Sequence, residues 1–290
     1  MKPVHHPANL AGTWRVTVLQ MHRLPLLLVA FALLVPASAN AKPRNLLPDL
    51  AQGIPTGISI VVDTSRAQPH VRLAFHSSVV NVGEGPLVIV GRRAPGAATM
   101  TARQVVRRSD GSSVTRRPSA GVLRYVRASD HEHWHLLGFD RYELWNAKAT
   151  RRLLRDRKQG FCLGDRFSLY SNRRIPHQPL RPSFTTYCGK EGPDLQRIVE
   201  GITVGWGDDY RANIEGQFID LTGLPAGRYL LVHRVNSTGG LREINPYNNV
   251  ACAPIELMAP ANPGDPPTVT ALASRKPCDS TYDRWGVPGG

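Results

Sequence analysis

Three histidines alternate in Asp130-His131-Glu132-His133-Trp134-His135. Imidazole is a good ligand for copper, zinc, iron and nickel. On an extended segment alternate side chains share a face, so His131, His133 and His135 project together. The Cα atoms of the outer two lie ~13 Å apart on a regular strand. The spacing therefore predicts a curl or bulge here if all three imidazoles are to reach one ion. No fourth protein ligand is evident, which leaves room for water or substrate, as a catalytic centre needs. The plainer reading is a surface strand of solvated histidines with Trp134 as its core residue. Three histidines in strict alternation favour the metal.

Two further stretches carry reactive types. Lys158 ends a basic run with Arg151, Arg152, Arg155 and Arg157, and lies four residues before Cys162. Tyr210 closes Gly205-Trp206-Gly207-Asp208-Asp209-Tyr210. Taken singly, Lys158 is a solvated cation, Asp208 and Asp209 a solvated turn, and Tyr210 a core or turn aromatic.

The elements that must hold these residues read as short strands. Residues 57–64, 71–80, 87–91, 101–106, 121–125 and 131–145 are rich in β-branched and aromatic types in rough alternation. Further strands are expected at 202–204, 217–221, 228–236 and 250–257. Turn chemistry sits at 81–86, 109–111, 205–207 and 222–227. Residues 147–158 are the one segment patterned for a short helix. Short strands with frequent turns predict a mostly β fold, a single antiparallel β-sandwich-like domain with long irregular loops and little helix. That domain is expected over residues 42–258, followed by a Pro-rich tail at 259–290 that Cys278 tethers.

The N-terminus reads as an export signal. Met21-His22-Arg23 gives a positive start, residues 24–35 are mostly apolar, and Ala39-Asn40-Ala41 suits a signal peptidase. Met21 is a candidate start, with residues 1–20 an extension. The apolar stretch is short for a membrane span. Residues 1–41 take three positive charges and no acid with them, lowering the formal charge from +14 to +11. Such a chain can meet acidic polymers, but the arginines are scattered and no nucleic-acid motif appears, so the charge reads first as solubility. In an exported chain the four cysteines suggest two disulfides, with sequential pairing, Cys162–Cys188 and Cys252–Cys278, preferred among the three possible. No C-x-x-C motif points to a zinc ribbon or redox site.

The stretch from His131 to Leu144 resembles the copper-binding segment of the lysyl oxidase family, where H-x-H-x-H precedes an aromatic-acidic-leucine ending, here Tyr142-Glu143-Leu144. Lys158-Gln-Gly-Phe-Cys-Leu-Gly-Asp165 is similar to the segment that holds the family's cofactor lysine. The run from Gly201 to Leu221 is similar to the segment around the cofactor tyrosine. Leu224-Pro-Ala-Gly-Arg-Tyr-Leu230, with Glu243, Asn245, Asn248, Asn249 and Cys252, matches a closing pattern. Animal members have more cysteines, one of them where this chain has Asp130, so the chain reads as a bacterial-type secreted member.

The resemblance implies copper held by His131, His133 and His135, and a lysine tyrosylquinone cofactor built from Lys158 and Tyr210. It implies oxidation of primary amines, protein lysine among them, to aldehydes by molecular oxygen, releasing ammonia and hydrogen peroxide. Asp208 is then the candidate base for the substrate's α-proton. Expected partners are an amine or protein-lysine substrate and oxygen, with no nucleic acid and no membrane span after signal cleavage. Two other readings remain. One is a cupin-like metalloenzyme, for which His177 and His233 lack the needed context. The other is a secreted copper-binding surface module without catalysis.

Overall fold

The computed structural model describes residues 42–65, 67–128, 131–158, 160–169, 175–212, 214 and 216–273. The expected signal peptide, Asp130, Cys278 and the end of the Pro-rich tail lie outside the described residues.

Among the described residues the chain forms strands and no helix. In order they are β1 (Asn45–Leu46), β2 (Leu50–Gln52), β3 (Thr56–Asp63), β4 (His70–Asn81), β5 (Leu87–Arg92) and β6 (Thr99–Arg108). There follow β7 (Ser113–Thr115), β8 (Gly121–Arg127), β9 (Glu132–Leu136), β10 (Asp140–Asn146), β11 (Arg152–Arg155) and β12 (Phe167–Ser168). The last are β13 (Arg197–Ile202), β14 (Trp206–Tyr210), β15 (Phe218–Asp220), β16 (Gly227–Val235), β17 (Val250–Met258) and β18 (Thr268–Ala271). No helix among the described residues is long and apolar enough to cross a membrane.

Period-two patterning explains these strands. In β6, Met100, Ala102, Gln104 and Val106 are buried, while Thr101, Arg103, Val105 and Arg107 face outward. Three antiparallel sheets result. The first has the order β13-β5-β6-β8-β9, with β1 and β7 also on β6. The second runs β11-β10-β16-β17-β18. The third runs β12-β14-β4-β15, with β2 and β3 also on β4. Strand β4 serves two sets of partners: its first half pairs with β3 and β15, its second with β2 and β14. The inward faces share one core that includes Leu73, Phe75, Trp134, Tyr142, Phe161, Leu163 and Leu231.

The mostly β expectation holds. The helix expected at 147–158 does not form. Asn146 closes a turn instead, its side-chain oxygen accepting the Thr150 and Arg151 N–H groups at 2.9 and 3.2 Å. Ala149 takes a positive φ of 55°. The Arg-Leu-Leu-Arg stretch then returns as β11 against β10, with Arg152 paired to Glu143 at 3.0 Å. Long unbranched side chains suit a helix, but the capped turn and a waiting sheet edge override that preference. The strand expected at 202–204 lies earlier, as β13, and the expected turn at 205–207 already enters β14.

Candidate active site

The three histidines lie at the start of β9. Its ladder with β8 runs without a register shift, from Arg127↔Glu132 to Leu123↔Leu136. The expected bulge is thus absent, and convergence comes from the side chains. His131 lies just before the strand. The ring centroids of His131 and His133, His133 and His135, and His131 and His135 are 4.7, 4.8 and 5.3 Å apart. One ligand nitrogen from each lies within 4.8 Å of the others, and the Nε2 atoms of His133 and His135 are 2.8 Å apart. Trp134 points the opposite way into the core, its indole N–H donating to the Gly192 carbonyl at 3.0 Å. Burial, then the neighbouring His133, push His135 down to about 2, so its ring is neutral. Its Nδ1 is buried with no hydrogen-bond partner among the described residues. Three converging imidazoles, one of them buried and neutral with an orphaned nitrogen, suit a borderline divalent ion such as copper.

Lys158 reaches this centre through a second piece of pairing. Phe161 and Leu136 exchange backbone hydrogen bonds at 2.8 and 3.1 Å, which extends the β9 side of the sheet by one bridge. Gly160 makes this approach possible. Its φ is +107°, and a Cβ there would sit 2.6 Å from the Leu136 carbonyl oxygen. Asp156 fixes the other end, accepting the backbone N–H of Tyr142 and, at 3.0 Å, that of Lys158. Lys158, His131 and His135 then line one cavity of about 540 Å³. Among the described residues the other charged groups of that lining, Arg72, Arg127 and Arg157, are cationic.

Tyr210 lies on β14, in register with Ser77 of β4. Its ring stands edge-on to Phe161 at 4.8 Å between centroids. The Lys158 ammonium lies 5.0 Å from the centroids of both rings. The Tyr210 hydroxyl donates to the Cys162 carbonyl and is 3.0 Å from Asp208 Oδ2. Asp208 belongs to no solvated turn. It pairs with Val79 across β14 and β4 and is 1% exposed. Its Oδ2 also accepts the Gly164 N–H at 3.1 Å, and Oδ1 faces Arg166 Nε at 3.7 Å. Burial pushes the carboxyl up to about 7, against the lowering pull of Arg166 and of the Tyr210 hydrogen bond.

The disulfide Cys162–Cys188 ties these pieces together, as the preferred pairing expected. Cys162 offers its carbonyl to Tyr210, and Cys188 accepts the Trp134 N–H at 3.0 Å. Cys252 is disulfide-bonded as well, while its expected partner Cys278 lies outside the described residues.

The sequence reading missed Glu200 and the structural roles of several residues its motifs contained. Glu200 is buried near Asp208, with the Leu163 N–H 3.5 Å from its Oε2 and Oε1 without a partner among the described residues; burial pushes its carboxyl well up. Asp165 pins the Phe-Cys-Leu-Gly-Asp segment, accepting the N–H groups of Ser183, Phe184 and Thr203. Tyr142 underlies Phe161, and its hydroxyl bonds Ser77 and Gln217. Glu243 knots Asn236, Asn249 and the Leu50 N–H. His233 is a core residue bonded to Asp140 at 2.7 Å, which leaves it out of the histidine cluster. Motif matches contained Tyr142, Asp165 and Glu243, while nothing in the sequence pointed at Glu200; their partners are remote in sequence.

A family model described as Lysyl oxidase matches residues 102–259. The chain is 31% identical over 134 residues to the protein-lysine 6-oxidase of Sus scrofa, covering 46% of this chain and 47% of that protein. The Homo sapiens protein of the same name gives 31% over 134 residues, 28% of its length. Lysyl oxidase homolog 2 of Gallus gallus gives 31% over 142 residues, 15% of its length. The match thus spans less than half the length of each of these relatives. With the family match running from β6 through β17 and enclosing the histidines, Lys158 and Tyr210, the chain belongs to the lysyl oxidase family.

Proposed function

We propose that this chain is a secreted copper-dependent amine oxidase that converts primary amines, peptidyl lysine or small amines, to aldehydes with release of ammonia and hydrogen peroxide. The observation that carries the reading is the Lys158 ammonium 5.0 Å from the centroid of the Tyr210 ring. A lysine and a tyrosine so disposed have the two groups a lysine tyrosylquinone is built from. His131, His133 and His135 would hold copper, and His131 and His135 share the cavity of Lys158. When present, copper and the quinone supply the redox chemistry that ordinary side chains lack, oxidation of the tyrosine ring by oxygen and acceptance of an electron pair from the amine.

The chain's own groups do the rest. Asp208 Oδ2, 3.0 Å from the Tyr210 oxygen, takes the α-proton of an amine held at that ring. A carboxyl that titrates at about 7 is matched to giving and taking protons near neutrality. Arg166 steadies its charged form, and Gly164 orients it through the backbone N–H. Phe161 holds the ring and the ammonium in one arrangement. The buried Cys162–Cys188 disulfide supports export to an oxidising compartment, the cell envelope or beyond.

The test is peptide mapping of copper-loaded protein produced in air. A Lys158 peptide joined covalently to the Tyr210 peptide, with oxygen incorporated, and amine-dependent peroxide are expected. Bound copper with both peptides unmodified overturns the reading and leaves a metal-binding module.

A further inference from the structure

Arginines scattered along the sequence meet on one sheet face. Alternation along β6 turns Arg103 and Arg107 outward, and register sets Arg92 of β5 directly opposite Arg197 of β13. Val90 lies between Val199 on one side and Arg103 on the other. Arg92, Arg103, Arg107 and Arg197 line a groove of about 710 Å³ whose lining, among the described residues, holds no carboxylate. Arg93, nearby, is spent otherwise: it binds three backbone carbonyls and covers Trp134. None of Arg92, Arg103, Arg107 and Arg197 forms an ion pair among the described residues.

Like charges directly opposite across two strands cost stability. Keeping Arg92 against Arg197 is therefore unfavourable unless an anion offsets it. The guanidinium fork matches carboxylates in a bidentate way. An extended peptide presents same-side carboxylates every ~6.7 Å, the repeat of alternate residues along β6. Among the described residues the groove lining has no aromatic ring on which a nucleic-acid base would stack.

From this geometry we infer that the outer face of β5, β6 and β13 docks an acidic polypeptide, the substrate class of the neighbouring site. The face leads there by register: Thr99 of β6 opposes Arg124 of β8, which opposes His135 of β9. The cavity at that end again carries Arg72, Arg127 and Arg157 and, among the described residues, no carboxylate. The docking stands on the arginine face alone; its link to substrate rests on the oxidase reading.

The experiment uses the full mature chain and a fluorescent oligoglutamate peptide with one central lysine, followed by anisotropy. A face variant carries Arg92→Gln, Arg103→Gln, Arg107→Gln and Arg197→Gln. A control loses equal charge elsewhere through Lys148→Gln, Arg151→Gln, Arg181→Gln and Arg211→Gln. The face variant is expected to lose about tenfold or more in affinity, summed over four exposed charge pairs, while the control stays near the parent. Binding should weaken with added salt. Thermal melting monitors folding, and the face variant should melt no lower than the parent, since it relieves the Arg92–Arg197 repulsion. Equal loss in both variants overturns the proposal in favour of net charge. Binding of oligothymidylate or a sulfated polysaccharide, with none of oligoglutamate, overturns it in favour of another polyanion. Oxidation separates the two layers. A face variant that still oxidises a small amine but has a raised KM for the acidic peptide supports the proposal. Face-dependent binding without oxidation of any amine supports docking and removes the oxidase reading.

Discussion

Phe161 exchanges both backbone hydrogen bonds with Leu136, one residue beyond His135. That bridge turns an irregular segment into an extension of the histidine-bearing sheet and brings Lys158 to the cavity of His131 and His135. Gly160→Ala tests it. The substitution forces an L residue to a φ of +107° and a Cβ against the Leu136 carbonyl. Melting temperature should fall, by the equivalent of about 1–3 kcal/mol. The yield of Lys158–Tyr210 cross-link in mass-spectrometric maps should fall as well, while copper content stays. An unchanged cross-link yield would show that the bridge does not govern this placement.

Copper binding should depend on the histidine trio and not on the exposed His177. His133→Ala is expected to abolish stoichiometric copper, measured by elemental analysis after dialysis. His177→Ala is expected to keep it. Retention of copper by the His133 variant would remove the trio as the ligand set.

The pH profile should report Asp208. A base works deprotonated, and burial raises this carboxyl to about 7, so kcat is expected to climb as pH rises through that value. Arg166 lowers the carboxyl, so Arg166→Gln should move the rising limb to higher pH. Asp208→Asn should remove the limb and cost about 10²–10⁴ in rate. A limb that stays put in the Arg166 variant would assign it to another group.

Stability should also vary with pH, through Glu243. Burial raises its carboxyl from 4.5 to about 7 in the folded chain. The folded state then binds the proton more tightly than the unfolded one. The contribution is fully present below pH 4.5 and is lost as pH rises through about 7. Denaturation of the parent should show that decline, and Glu243→Gln should flatten it. Parallel profiles for the two proteins would contradict the assignment.

Removing the disulfide joins stability to assembly. Cys162→Ser with Cys188→Ser opens a loop spanning 26 residues. A loss of about 3.5 kcal/mol is expected from loop entropy alone, read in denaturant titrations. The same double variant should bind copper but cross-link poorly, since Cys162 holds the Tyr210 hydroxyl through its carbonyl.

How much of this was legible beforehand follows from the range of each interaction. The alternating histidines could be read because period two and imidazole chemistry are local properties. Lys158 and Tyr210 needed the family resemblance, for nothing in either neighbourhood announces that β14 packs beside the segment after β11. Asp156 and Glu200 were invisible because their roles depend on Tyr142 and Leu163, which only tertiary contacts bring near. The helix expected at 147–158 failed for the converse reason. Composition there favours a helix, while Asn146 and the edge of β10 decide for a hairpin. The arginine face hid in plain sequence: Arg92, Arg103, Arg107 and Arg197 become neighbours only through register.

The pairing of Tyr210 with Ser77 sets a clock on the protein's maturation. Strand β4 is made early, yet the tyrosine that completes the centre arrives only with β14, after the histidines, Lys158 and both cysteines of the first disulfide. Closing a contact of such long range costs more loop entropy than closing a local one. A nascent or partly threaded chain can hold the metal ligands and the lysine and still lack the ring they act on. In the proposed enzyme, the power to make peroxide is therefore withheld until β14 has been made and has paired with β4, and the fold itself acts as the safety catch.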